Sequence, residues 1–193
     1  MFDDGLVRCS WAEVKRGTDR QLYQDYHDQE WGRPVHDGIA LFERLSLEAF
    51  QSGLSWLIIL RKRENFRRAF SGFDIETVAG YTDADVHRLM SEVGIVRNRA
   101  KIEATIANAR AAVDLGSAQD LAQLLWSFAP PRRARPVAES QIASASVESR
   151  AMARELKRRQ FRFVGPTTAY ALMQATGMVD DHVSTCWVPP AME

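Results

Sequence analysis

Four side chains near the two ends of the chain are of the kind that hold a metal ion. Cys9 and Cys186 are the only cysteines, and each has a histidine partner in sequence: Cys9 precedes His27, and His182 precedes Cys186 by four residues. An imidazole and a thiol at that spacing face the same way on a helix, and H-x3-C is a usual half-site for tetrahedral zinc. Cys9, His27, His182 and Cys186 together would close a Cys2His2 site. Four protein ligands leave no open position, so such a zinc would be structural, clasping the N-terminal segment to the C-terminal one. A zinc hydrolase would need a vacant fourth position and a general base, and no base is placed to serve it. Unrelated buried thiols are the alternative. A lone disulfide is not expected in a cytoplasmic chain.

A second chemical feature is Glu48. The stretch 39–51, IALFERLSLEAFQ, is apolar nearly all round and predicts a buried helix, and Glu48 emerges from it beside the stripe of Leu41 and Leu45. A buried carboxylate is costly unless something pairs with it. Either an arginine or backbone amides serve it, or it waits for a ligand carrying positive charge or amide-like donors. Six residues on, Leu54 stands at the tip of the turn Ser52-Gly53-Leu54, either a core plug or a wedge. A third feature is the stretch 147–176. Val147–Arg159 reads as a helix with Ser146 as N-cap, Phe163-Val164-Gly165-Pro166 breaks it, and a second helix starts at Thr167 or Thr168. Gly165 suits a sharp turn and Pro166 a helix start. The outward amides of such a hairpin, at Val164, Gly165 and Thr167, with Arg158, Arg159 and Arg162 around it, can grip a phosphate without regard to sequence. An ordinary helical hairpin is the plainer reading.

The elements that must position these groups are helical throughout. The helix 39–51 is followed by WLIILRKRENFRRAF, capped by Ser55, then by short helices in DIETVAG and DADVHRLMSEVG. A second hairpin at Gly94-Ile95-Val96 carries the basic cluster Arg97, Arg99 and Lys101 into RNRAKIEATIANARAAVDL, and a helix near 118–128 follows. APPRRARPVAES, residues 129–140, reads as an exposed loop. No β-strand signal exceeds a few residues, so the fold class is all-α, in one domain over 1–193. Trp11, Tyr23, Tyr26 and Trp31 crowd the segment 8–32 around the first two metal candidates; Trp11 and Tyr23 read as core. His36 and His87 read as solvated. Hydrophobic residues make up 46% and charged residues 26%, a globular composition, and the balance of 25 basic against 25 acidic residues leaves nucleic-acid binding to local segregation of charge. No apolar run approaches a membrane span and the acidic start MFDDGLVRCS does not read as a signal peptide, so a cytoplasmic location without membrane partners is expected.

With these residues in view the chain resembles the DNA-3-methyladenine glycosylase I family, a divergent branch of the helix-hairpin-helix glycosylases. The resemblance is carried, in order, by RCSW (8–11), YHDQEWG (26–32), LEAFQSGLSW (47–56), KRENF (62–66), LLWSF (124–128), FRFVGPTT (161–168), QATG (174–177) and DHVSTC (181–186). It implies a helix-hairpin-helix fold clasped by a structural zinc on Cys9, His27, His182 and Cys186. It implies excision of 3-methyladenine from alkylated double-stranded DNA by base flipping, releasing the free base. Glu48 would accept hydrogen bonds from the flipped base, with Tyr26 and Trp56 lining its cavity and Trp11 and Trp31 as further aromatic candidates. Asp180 and Asp181 stand too close to the hairpin glycine to be read as the usual catalytic aspartate. No lysine is placed for a Schiff base, so base removal without strand cleavage is expected, by a monomer. A non-catalytic DNA-binding module of the same fold is the alternative.

Overall fold

The structure, a computed structural model, describes residues 4–13 and 17–191; the first three residues of the acidic start lie outside them. Among the described residues the regular structure is α-helical apart from two short 3-10 turns. The helices are α1 (Ser10–Glu13), α2 (Thr18–Gln29), α3 (Gly38–Gln51), α4 (Trp56–Ala69), α5 (Ile75–Ala79), α6 (Asp83–Ser91), α7 (Arg99–Val113), α8 (Ala118–Trp126), α9 (Val147–Arg158) and α10 (Pro166–Ala175). The helices expected between residues 39 and 176 are present, with ends displaced by up to three residues. No helix among the described residues is long and apolar enough to cross a membrane.

Helix α3 is the hub. Its apolar residues leave almost no exposed side, and Leu41, Phe42, Leu45, Leu47 and Phe50 are fully buried against α4, α7, α8 and α10. Each such side chain contributes about 1.5–3 kcal/mol of transfer free energy. Asp37 starts the helix, its carboxylate accepting from the Ala40 amide at 2.8 Å. At the other end, Lys101 of α7 donates to the carbonyls of Phe50 (2.8 Å) and Ser52 (2.5 Å). A cation at a helix C-terminus satisfies carbonyls that have no partner within the helix. Lys101 is therefore buried, at 7% exposure, and not part of a surface basic cluster as its neighbours Arg97 and Arg99 are. The residue expected to cap α4, Ser55, occupies the N-cap with extended backbone but makes no side-chain cap bond.

The pair α9 and α10 forms the expected hairpin. Ser146 caps α9 through the Ser149 amide at 3.1 Å, and the Ser149 hydroxyl reciprocates on the Ser146 amide at 2.9 Å. The turn itself differs from expectation. Gly165 has φ −85° and ψ 174°, an extended geometry open to any residue, while the left-handed positions fall on Gln160 (φ 69°) and Phe163 (φ 57°). A Cβ at Gly165 would meet nothing within 4 Å. Its value is thus the open face it leaves beside the N-terminus of α10, not a sharp turn. Asn108 of α7 latches the hairpin, its amide oxygen accepting the Arg162 N–H at 2.7 Å and its amide nitrogen donating to the Arg162 carbonyl at 3.1 Å.

The loop expected at 129–140 is irregular but tied down. Arg133 and Arg135 pair with Asp181 (2.7 Å) and Asp180 (2.8 Å), and the Pro136 carbonyl accepts from the Ser184 amide at 2.8 Å. It forms a strap over the C-terminal segment.

Candidate active site and metal centre

The four metal candidates converge. Their ligand atoms lie within 4.8 Å of one another, and all four residues are buried. Cys186 Sγ is 3.5 Å from His182 Nδ1 and 3.6 Å from His27 Nε2, and Cys9 Sγ is 3.7 Å from His182 Nδ1. A small tetrahedral ion with bonds of 2.0–2.3 Å holds its ligands about 3.3–3.8 Å apart, so these spacings fit. The outer nitrogens of both rings are engaged, His27 Nδ1 with Asp28 Oδ1 at 2.7 Å and His182 Nε2 with the Trp31 carbonyl at 3.1 Å. An oxygen acceptor there holds the proton on the outer nitrogen and turns the lone pair of the inner one to the centre. Asp28 is held in turn by Arg8 at 2.7 Å. Hydrogen bonding from the Cys9 thiol pulls Cys186 well below the ordinary thiol range, which favours a ligating thiolate. The cluster can hold a metal ion.

One expectation about this centre fails in its local detail. His182 and Cys186 do not lie on a helix: residues 180–188 run through turns, with the Cys186 amide on the Val183 carbonyl at 2.8 Å. The strap from Arg133 to Pro136 and the prolines at 189 and 190 hold this segment in irregular form, and a tight turn brings the two ligands together as well as a helix would. Gly177 lets that segment approach, for a Cβ there would sit 2.6 Å from Pro34 N, and its φ is 72°.

The metal rings form the back of an aromatic wall. Trp31 meets His182 edge-on at 4.7 Å, and Trp11 meets His27 at 5.2 Å and Trp31 at 5.1 Å. The wall continues through Tyr26, 5.3 Å from Trp56 and tilted by 45°. These four rings line a cavity of about 620 Å³, and Glu48 lies in the same lining. Trp11 is half-buried and Tyr23 buried, yet both face this space, so the expectation that they belong to the core holds only in part.

Glu48 is 6% exposed and no hydrogen bond reaches its carboxylate among the described residues. Burial pushes its pKa up to about 8, partly offset by the nearby Arg44 guanidinium. Arg44 gives Nη2 to Glu30 at 2.5 Å, with Arg63 on the same carboxylate at 2.6 Å, while its Nη1 is buried without a partner. Against the effect of burial, Arg63 and Arg44 hold Glu30 at about 2, so its charge is neutralised locally. The cavity also has one buried donor without a partner, Trp56 Nε1.

The residues expected at a nucleic-acid surface lie apart from the cavity. Leu54 is 38% exposed at its turn, which excludes the core-plug reading. Arg162, Gly165 and Thr167 are exposed on the hairpin, whereas the Val164 side chain is in the core, leaving only its backbone for a ligand. Five further cavity residues went unread in the sequence: Gln51, Glu139, Ile142, Ala171 and Gln174. Gln51 follows Glu48 by three on the same helix, a spacing that was available as a signal. Glu139 is fastened by the Ser10 amide (2.5 Å) and hydroxyl (2.6 Å), a contact across 129 residues that no local pattern announces.

Comparison with known proteins agrees with this geometry. The family model described as methyladenine glycosylase matches residues 16–189. DNA-3-methyladenine glycosylase 1 of Escherichia coli (strain K12) is 41% identical over 188 residues, 96% of this chain and 98% of that protein. A crystal structure of 3-methyladenine DNA glycosylase I superposes with TM-score 0.88 at 41% identity, covering 95% of this chain and 100% of that one. A Staphylococcus aureus 3-methyladenine DNA glycosylase I, solved to explain 3-methyladenine recognition, gives TM-score 0.87 at 33% identity over 94% of this chain and 97% of its own. With its cavity, its buried carboxyl and its matched length, this chain belongs to the methyladenine glycosylase family.

Proposed function

We propose that this protein is a DNA-3-methyladenine glycosylase that hydrolyses the N-glycosidic bond of the methylated base after extruding it from duplex DNA, without cutting the strand. The observation that carries the reading is the unpartnered carboxyl of Glu48 at a cavity walled by Tyr26, Trp56, Trp11 and Trp31. An adenine methylated on its minor-groove ring nitrogen is cationic, and its glycosidic bond is already weak. The leaving group needs little protonation. The protein has to extrude the base, stack it, and recognise its donor edge. Aromatic faces stack any base and attract a cationic one. Glu48 supplies the recognition: a positive charge arriving beside it favours the carboxylate, so the acceptor forms as the correct base is seated. Neutral adenine brings no such charge and leaves a buried acid with poorer partners.

The four-residue cluster holds a structural zinc in this reading. Its chemistry is to lock Cys9, His27, His182 and Cys186, and with them the Trp11 and Trp31 rings packed on the two imidazoles. Phosphate contacts fall to the hairpin of helix-hairpin-helix type, where the open face of Gly165, the free backbone at the start of α10 and Arg162 can receive a DNA backbone. Leu54 is the wedge. Leu54→Ala should lower excision from duplex roughly tenfold and from single-stranded DNA by less than about twofold, since only the duplex has a stack to open. Equal losses on both substrates would remove Leu54 from that role.

The reading as a whole is tested by incubating purified, zinc-loaded protein with methylated duplex DNA, separating released bases by chromatography, and assaying the strands for nicks. Free 3-methyladenine with intact abasic strands is the expected result. No released base from folded protein would leave a non-catalytic DNA-binding module, and nicked strands would make the enzyme bifunctional.

A further inference from the structure

Gln174 lies on α10 and lines the cavity, and its side-chain amide is fastened at one end only. Nε2 donates to Asp181 Oδ2 at 2.9 Å, and Oε1 takes no hydrogen bond among the described residues. The backbone carbonyl of Gln174 is spoken for by the Gly32 amide at 3.1 Å, so Oε1 is the acceptor the residue has left. Asp181 dictates this orientation. It is 1% exposed and receives the Tyr170 hydroxyl at 2.7 Å and the Arg133 guanidinium at 2.7 Å, while Arg133 also donates to the Tyr170 oxygen at 2.9 Å. With the Arg133 guanidinium on Oδ1 and the Tyr170 hydroxyl on Oδ2, Asp181 accepts from every neighbour, so of the two ends of an amide it is the NH2 that faces it. Turning the amide round would set oxygen against oxygen in a buried site and strand the NH2, at the cost of a lost hydrogen bond and a repulsion. The remaining end is a carbonyl of fixed direction.

The cavity lining therefore includes an acceptor on α10, Gln174, besides Glu48 and Gln51 on α3 and the Glu139 carboxylate, with the Trp56 indole N–H as a buried donor without a partner. We propose that Gln174 is a base-selecting residue: held by Asp181, its carbonyl accepts an N–H from the edge of the extruded base and so favours 6-amino purines over 6-oxo purines. This rests on the glycosylase reading and adds a neutral acceptor to it. A 6-oxo lesion such as 3-methylguanine would place a carbonyl oxygen where an amino group serves 3-methyladenine. A site built to receive a donor rejects an analogue without one because its own acceptor is left unpaired. The neutral acceptor differs from Glu48 in kind, since it reads hydrogen-bond polarity and not charge, and both lesions are cations.

The test is the ratio of single-turnover excision of 3-methyladenine to that of 3-methylguanine from otherwise identical duplexes, measured for the wild type, Gln174→Met and Asp181→Asn. Methionine keeps the length of the side chain and removes both amide atoms. Gln174→Met should lower the ratio about tenfold or more, chiefly through slower 3-methyladenine release, with affinity for abasic-site duplex and the melting temperature close to wild type. Asn at 181 can itself present an NH2 or an oxygen to Gln174, so the amide is no longer forced into one orientation. Asp181→Asn should move the ratio in the same direction by a smaller factor. A wild-type ratio in folded Gln174→Met, or a ratio in Asp181→Asn as high as wild type, overturns the assignment and leaves Gln174 a buttress for Asp181. If the wild type releases no base, the glycosylase reading itself has failed; if it releases 3-methyladenine and the variants keep its ratio, only the role of Gln174 has.

Discussion

Glu48→Gln should lower the rate of 3-methyladenine release by at least about 100-fold while leaving affinity for duplex DNA within about threefold, because an amide cannot become the anion that the cationic base induces. The same substitution should make the fold more durable in alkali. The Glu48 carboxyl ionises at about 8 in the folded protein, against an ordinary value of 4.5 in the unfolded chain. Between those two values the unfolded chain has released its proton and the folded protein has kept it. Wild-type stability therefore falls as pH rises through that interval, by about 1.4 kcal/mol per pH unit, and levels off above it. Glutamine carries no such proton. The gain of Glu48→Gln over wild type should be near zero at pH 4.5 and reach roughly 3–5 kcal/mol by pH 8.5, readable by urea unfolding at the two pH values. Equal stabilities at pH 8.5 would mean that the carboxylate already has a partner, and binding that falls together with excision would make Glu48 structural.

The second large effect is at the opposite wall. Cys9→Ala should bring zinc content, measured by native mass spectrometry, from about one ion per chain to well below one, with a melting temperature lower by about 10 °C or more. Excision should fall with it even though no ligand touches the base, because His27 and His182 carry the Trp11 and Trp31 rings. A chelator strong enough to strip the metal from wild type should reproduce the loss. Unchanged metal content and melting temperature in Cys9→Ala would end the clasp reading.

How much of this was legible in the sequence depends on how distinctive each residue is out of context. Two cysteines with two histidines in sequence beside them have few roles other than ligating a metal, so the cluster could be assembled across the 176 positions between Cys9 and Cys186. Glu48 was legible because a carboxyl breaks an otherwise apolar helix. Geometry within turns was not. The four-residue spacing of His182 and Cys186 suits a helix and a turn alike, and the turn was selected by the strap and by Gly177, which lie outside that window. Gly165 looked like a bend because glycine often is one, but the left-handed residue is Phe163, next to the Arg162 backbone that Asn108 holds from another helix. Lys101 and Gln174 were opaque for a different reason. Each is an ordinary polar residue on a helix surface, and its task is set by one distant partner: the carbonyls ending α3 for Lys101, and Asp181 for Gln174.

Lys101 and Asn108 stand seven residues apart on α7, two turns of one helix, and so project from nearly the same face about 10 Å apart along its axis. One holds the turn that presents Leu54; the other holds the hairpin that presents Gly165. Helix α7 therefore acts as a caliper. The gap between the turn of Leu54 and the hairpin of Gly165 is set by a rigid rod and not by loop length. Under the DNA contacts proposed above for these two points, the duplex is the more compliant of the two bodies and would be the one to bend to reach both. A single residue inserted between the latches would swing one of them by about 100° and leave two intact jaws that no longer close on the same helix.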